Sequence, residues 1–144
     1  IFLMNKVQKM IYNEMLSKDE FSKWLGIEII EISEGYCQLE MAITDEMLNG
    51  FKIAHGGITY SLADSALAFA SNANGRKCIS IETSISHTDS VKLGDILTAT
   101  TQELSLTNKT GLYLVTISNQ DNKEIAYLKG TVYRTSKDWK NYEY

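Results

Sequence analysis

The stretch from Asn49 to Gly75, NGFKIAHGGITYSLADSALAFASNANG, decides how the chain folds. From about Gly56 to Asn72 it is rich in Ala and Leu and free of Pro, and it is stopped by NANG, where Asn74 or Gly75 suits a left-handed cap. This predicts one long helix. At 100° per residue, Ile58, Leu62, Ala66 and Phe69 fall on a stripe suited to packing, whereas Gly57, Tyr60, Ser61, Asp64, Ala68 and Ser71 form a second stripe of small and polar groups. Asp64 stands out, because an unpaired carboxylate is costly to bury. Either it faces water or it has a chemical task.

Working outward toward the N-terminus, Val7, Met10, Ile11, Met15 and Leu16 recur at helical spacing between Lys6 and Glu20, which predicts an amphipathic helix on the body of the domain. A turn through FSKWLG follows. From Ile27 to Ile43 the period changes to two: Cys37, Leu39, Met41 and Ile43 alternate with Tyr36, Gln38, Glu40 and Ala42, and SEGY splits the run into a hairpin. Beyond the long helix, strands are expected near 78–88, 95–106, 111–120 and 124–135, separated by the turn formers SVKLGD, LTNKTG and NQDNKE. In the last run Ala126, Leu128, Gly130 and Val132 share a face, and its small members leave room for a helix to lie against the sheet. No helix separates the later strands, so a doubly wound parallel sheet is excluded. The expected class is α+β: an antiparallel sheet of about six strands wrapped around one long central helix, with an extra N-terminal helix.

Length and composition agree with this. A chain of 144 residues that is 44% hydrophobic suits a single domain spanning 1–144, burying roughly 68–70% of its unfolded surface. A net charge of −4 provides no broad positive field, so neither nucleic acid nor a membrane is expected as a partner. Cys37 and Cys78 lack metal-ligand spacing and are expected to be buried small hydrophobes, with no disulfide, no metal and no cofactor. The opening IFLM is too short for a signal-peptide core or a membrane span; Met4 is read as the natural start, residues 1–3 as upstream sequence and the chain as cytoplasmic.

The chemistry centres on His55-Gly56-Gly57 at the helix entrance. Two successive glycines there lower helix propensity by roughly 1 kcal/mol each relative to Ala, but they let another molecule approach the backbone closely. First-turn N–H groups are free to donate to an oxygen that is acquiring negative charge. An electrophile-activating helix end and a carboxylate two turns on are two of the parts an acyl-transfer site needs. Taken singly, each signal also has a plain alternative: Asp64 as an exposed helix residue, the glycines as a turn, His55 as a structural hydrogen-bonding group, Asn49 as a turn residue.

Together, Asn49 spaced six residues before His55-Gly56-Gly57, then SLADSA, SISHTDSVKLGDILTA, KTGLYLVTISNQ and IAYLKGTVYR, resemble the PaaI-like branch of the hotdog-fold acyl-CoA thioesterases over residues 24–135. The resemblance implies a homodimer of such units, commonly paired into a tetramer. It places an active site at the dimer interface, with Asp64 of one subunit facing the His-Gly-Gly helix end of the other. It further implies that the Gly56 N–H polarises a thioester carbonyl, that Asn49 helps hold the site together with His55, that the Ser80 hydroxyl orients water, and that Gly57 and Ser65 lie beside the substrate. Arg76, Lys77, Lys92 and Arg134 are candidates to hold the phosphates of coenzyme A. The implied activity is hydrolysis of an aryl- or short- to medium-chain acyl-CoA, with Asp64 as general base or nucleophile. One departure is that members often carry an aromatic residue and a Pro near the end of the third strand, where this chain has SHTDSVKLGD with His87 and no Pro. That bears on the pocket wall more than on the chemistry. Two other readings compete: a non-catalytic acyl-CoA sensor or carrier of the same fold, and a hydratase or dehydratase of the same broad fold, which needs a His and a carboxylate placed for proton abstraction, whereas His87 has a structural strand context.

Overall fold

The hairpin expected between Ile27 and Ile43 forms as β1 (Glu28–Ser33) and β2 (Tyr36–Ala42), turning at Gly35, whose φ of 71° suits a residue without a side chain. The chain then runs through the long helix α3 (Gly56–Asn72) to β3 (Arg76–His87), β4 (Ile96–Leu106), β5 (Thr110–Ser118) and β6 (Glu124–Asp138). This computed structural model describes residues 4–139, so the reading of residues 1–3 as upstream sequence lies outside it. All neighbouring strands pair antiparallel in one six-stranded sheet of order β1-β2-β4-β5-β6-β3, which confirms the α+β class. No helix among the described residues is long and apolar enough to cross a membrane.

The crossover is made by α3. It leaves the β2 side, crosses one face of the sheet and delivers the chain to β3 at the far edge, while β4 returns to pair with β2. The buried face of α3 is wider than one stripe: Leu62, Ala63, Ala66, Leu67, Phe69 and Ala70 are all enclosed with Leu39, Met41, Leu97, Val115, Ile117 and Leu128 of the sheet. Each large apolar side chain fully withdrawn from water contributes about 1.5–3 kcal/mol. The stripe of small and polar residues is correspondingly narrower than expected. Ser71, assigned to it by periodicity, is buried, with its hydroxyl returned to Ala68 O at 3.2 Å. The NANG stop forms as predicted, with Gly75 taking a φ of 106°.

Gly130 does for β6 what its small size suggests. A Cβ added there would stand 2.6 Å from Leu67 Cδ2, and Leu67 is fully buried, so the helix packs where a side chain would otherwise be. Gly130→Ala is therefore expected to lower stability by about 1–3 kcal/mol through overpacking, measured as a shift in urea midpoint at unchanged slope.

The N-terminal segment departs from a single helix over Lys6–Glu20. It consists of α1 (Lys6–Met10), capped by Asn5 and Gln8 reciprocally, a π turn over Ile11–Met15, a 3₁₀ turn over Leu16–Lys18, and then α2 (Glu20–Trp24), which occupies the expected turn. The break falls at Asp19, whose carboxylate accepts from Ser22 N at 2.9 Å and from Ser22 Oγ at 2.6 Å. Met10, Ile11 and Leu16 are buried as the periodicity foresaw, while Val7 and Met15 are only partly covered. Cys37 is enclosed in the core, but Cys78 is only half-buried.

Candidate active site

His55 is the N-cap of α3, and its Nδ1 accepts from Gly57 N at 2.9 Å. The Gly57 N–H is thereby used within the chain. The Gly56 N–H, at the first position of the helix, meets no acceptor among the described residues. Two contacts brace this end. Thr59 Oγ1 lies 3.0 Å from Gly56 O, to which it can donate, and 2.6 Å from His87 Nε2. His87 also sits where a side chain on Gly56 would go, its Cε1 3.3 Å from an added Cβ. His87 is thus a brace for the helix entrance.

The loop leading into His55 is organised by Asn49. Its Oδ1 accepts from Phe51 N at 2.9 Å and its backbone N donates to Ile53 O at 2.8 Å, closing a turn in which Lys52 takes the left-handed φ of 63°. Leu48 and Ala54 then bridge, and His55 N donates to Met47 O at 2.8 Å. Asn49 therefore shapes the turn that leads into the backbone of His55 and Gly56.

Asp64 lies two turns further along, half-buried on the helix face that the sheet leaves uncovered. It shares a cleft of about 270 Å³ with Ser80, walled by Leu67, Ala68, Ile79, Val132 and Met15. Burial pushes the Asp64 carboxyl above the ordinary range for Asp, and the negative charge of Asp19 adds to the effect. The sign follows directly. A carboxyl whose folded value is raised favours the native state when protonated, and that contribution is lost as pH rises through the folded value. Asp64→Asn is accordingly expected to melt above the wild type at neutral pH, with the difference closing as pH falls below about 3.9, the ordinary Asp value. Thermal melts at both pH values check this.

Ser80 reaches the cleft from a regular part of β3. Cys78, Ile79 and Ser80 pair in register with Arg134, Tyr133 and Val132 of β6, and all three line the cleft, with the register shifting only before Cys78 and beyond Ser80. Ser65 goes elsewhere: it is buried, and its Oγ lies 2.8 Å from that of Ser22, so this hydroxyl ties α3 to α2 rather than facing the cleft. The four cations fall into two groups. Arg76, Lys77 and Arg134 gather at one end of β3, with Arg76 on Asn108, Arg134 on Thr107 O and Lys77 over the Trp139 ring at 4.6 Å. Lys92 lies in the loop beyond the other end of the strand.

A sheet wrapped around one helix, with a free N–H at the helix entrance and a carboxylate on its open face, is the architecture of a hotdog-fold protein. The thioesterase superfamily model matches residues 51–126. The chain is 38% identical over 120 residues to the acyl-coenzyme A thioesterase PaaI of Escherichia coli K12, covering 83% of this chain and 86% of that one. The E. coli PaaI structure superposes with a TM-score of 0.86 at 36% identity, covering 88% and 92% of the two chains. A Streptococcus mutans protein solved bound to acetyl CoA matches with a TM-score of 0.76 at 27% identity, covering 78% and 90%. The chain belongs to the thioesterase superfamily, in its PaaI-like branch, and is a thioester hydrolase. That sets aside the sensor and hydratase readings.

Proposed function

We propose that the protein hydrolyses an aryl- or short- to medium-chain acyl-CoA to the free acid and coenzyme A, in a site completed by a second copy of the chain. The observation that carries this is the separation of the two chemical groups. Gly56 and Asp64 lie eight residues apart on one unbroken helix, roughly 12 Å along its axis, so no single carbonyl can accept from one while being approached from the other. A second helix must supply the missing partner.

The sheet provides the means. β3 is an edge strand of 12 residues with Ile79 and Ile81 exposed at 61% and 58%, a long apolar edge of the kind that pairs with another chain. Two-fold pairing of β3 with its copy sets the two α3 helices antiparallel and brings the Gly56 end of one toward the middle of the other. The resulting homodimer carries two shared sites; a dimer of dimers is the further assembly that the family resemblance suggests.

In this site Ser80 holds a water against Asp64, which removes a proton as the water oxygen attacks the thioester carbon. The carbonyl oxygen takes the negative charge and accepts from the Gly56 N–H of the partner. Collapse breaks the carbon–sulfur bond, and the thiolate of coenzyme A recovers the proton from Asp64. General-base action is favoured over direct attack by Asp64 because the Ser80 hydroxyl shares the cleft and has no partner among the described residues. Single turnover in ¹⁸O water with a parallel hydroxylamine trap separates the routes: label in Asp64 or a trapped acyl-enzyme supports an anhydride, and label in the acid with no trapped adduct supports the base. His55 orients the helix entrance, and the two groups of cations are the candidates for the coenzyme A phosphates.

The test is thiol release from a panel of aromatic and aliphatic acyl-CoA esters. Turnover of at least one class at catalytic concentration is expected, with the rate rising with pH through the elevated Asp64 value. Absence of thiol release across the panel would overturn the substrate class.

A further inference from the structure

We infer that Met15, carried on the π turn of the N-terminal segment, is the wall that sets the size of acyl group admitted beside Asp64; this rests on the acyl-CoA reading above. The cleft runs along α3 from Asp64 toward Asn72. At its far end lies Asn72, which accepts from Cys78 N at 2.9 Å and donates to Cys78 O at 3.2 Å, stitching helix to strand. Between these ends lie two helical turns, roughly 12 Å, enough for a phenylacyl group or a straight chain of about six to eight carbons. One side is Leu67 and Ala68, the other Ile79 and Val132, and among the described residues Met15 is the one wall that comes from outside the helix and the sheet.

The segment holds Met15 there by its irregular winding. In a continuous α-helix Met15, four residues after Ile11, would share the Ile11 face and pack inward. The π turn over Ile11–Met15 swings Leu16 back toward that face instead. Ile11 and Leu16 both become buried anchors, and Met15 is left at the cleft. A thioether between two fixed anchors is a wall of defined position with some adaptability of shape. The segment also meets α3 next to the carboxylate, through the Ser22–Ser65 contact, so the wall is referenced to the reacting group.

The test measures kcat/KM for wild type, Met15→Ala, Met15→Trp and Ala68→Val on butanoyl-, hexanoyl-, octanoyl-, decanoyl-, dodecanoyl- and phenylacetyl-CoA, with thermal melts alongside. For wild type, hexanoyl, octanoyl and phenylacetyl esters are expected to be favoured. Met15→Ala should raise the dodecanoyl-to-hexanoyl ratio about tenfold or more, and Met15→Trp should lower the octanoyl-to-butanoyl ratio by a similar factor, since one methylene in an apolar pocket is worth about 10–200-fold. Ala68→Val narrows the same cleft from the helix side and should act like Met15→Trp without depending on the N-terminal segment. Ratios unmoved in folded Met15 variants overturn the role of Met15, even if Ala68→Val moves them. Ratios unmoved by Ala68→Val overturn the cleft as the acyl site. A wild type inactive on every ester sinks the acyl-CoA reading itself, which is visible before any variant is made.

Discussion

Asp64→Asn is expected to lower kcat by about 10²–10⁴, the range lost when a positioned general base is removed, while the protein remains folded and, at neutral pH, melts higher. The substitution is nearly isosteric and leaves the half-buried position hydrogen-bonding but unable to accept a proton from water. The two outcomes have one cause. The environment that raises the Asp64 carboxyl above its ordinary range, burial first and then the charge of Asp19, makes the ionised form costly in the native state and correspondingly basic toward water. Steady-state thiol release together with thermal melts checks both halves. A variant that keeps the wild-type rate would remove Asp64 from the mechanism, whatever its effect on stability.

The second large effect concerns which chain supplies the oxyanion donor. Gly56→Pro deletes the N–H at the first position of α3, which meets no acceptor among the described residues, and the position tolerates proline. It is the first residue of α3, where proline is favoured, and His55 before it has φ −62° and ψ 138°, the extended conformation a following proline requires. The ring has to displace His87 by a few tenths of an ångström. Loss of about 10²–10³ in kcat is expected. Mixing Gly56→Pro with Asp64→Asn distinguishes a shared site from one within a chain. If the site is shared across a two-fold, each mixed dimer holds one site with both groups intact, and a random mixture recovers about a quarter of wild-type activity from two inactive proteins. If the site lies within one chain, the mixture stays inactive. Co-expression with two affinity tags isolates the mixed species and makes the comparison quantitative.

Both experiments depend on how the fold separates jobs among neighbouring residues. On α3, Gly57 satisfies His55, Gly56 is left open, Ser65 ties down α2 and Asp64 faces the cleft. These four lie within ten residues, and nothing in their types alone allots the roles. His55 shows this most clearly. Read from sequence as a structural hydrogen-bonding group or a helper of the site, it commits its Nδ1 to the Gly57 N–H at the helix entrance.

What the amino-acid order determined by itself was the element plan. Alternation of period two, helical spacing of period 3.6 and Gly- or Asn-rich stops act over a few residues at a time, and these placed the hairpin, α3 and the four later strands close to their observed positions. It also marked Asp64 and the glycine entrance, because a carboxylate in an Ala- and Leu-rich helix and two adjacent glycines violate local preference visibly. Tertiary structure alone decided the rest. Whether Ser71 is buried depends on which elements cover that end of α3. The π turn that frees Met15 results from Ile11 and Leu16 both seeking the core, and the bulge beside Ser80 results from β3 fitting against β6. Each is a compromise between a local winding preference and packing against residues far away in the chain, and no window of sequence contains both sides of that balance.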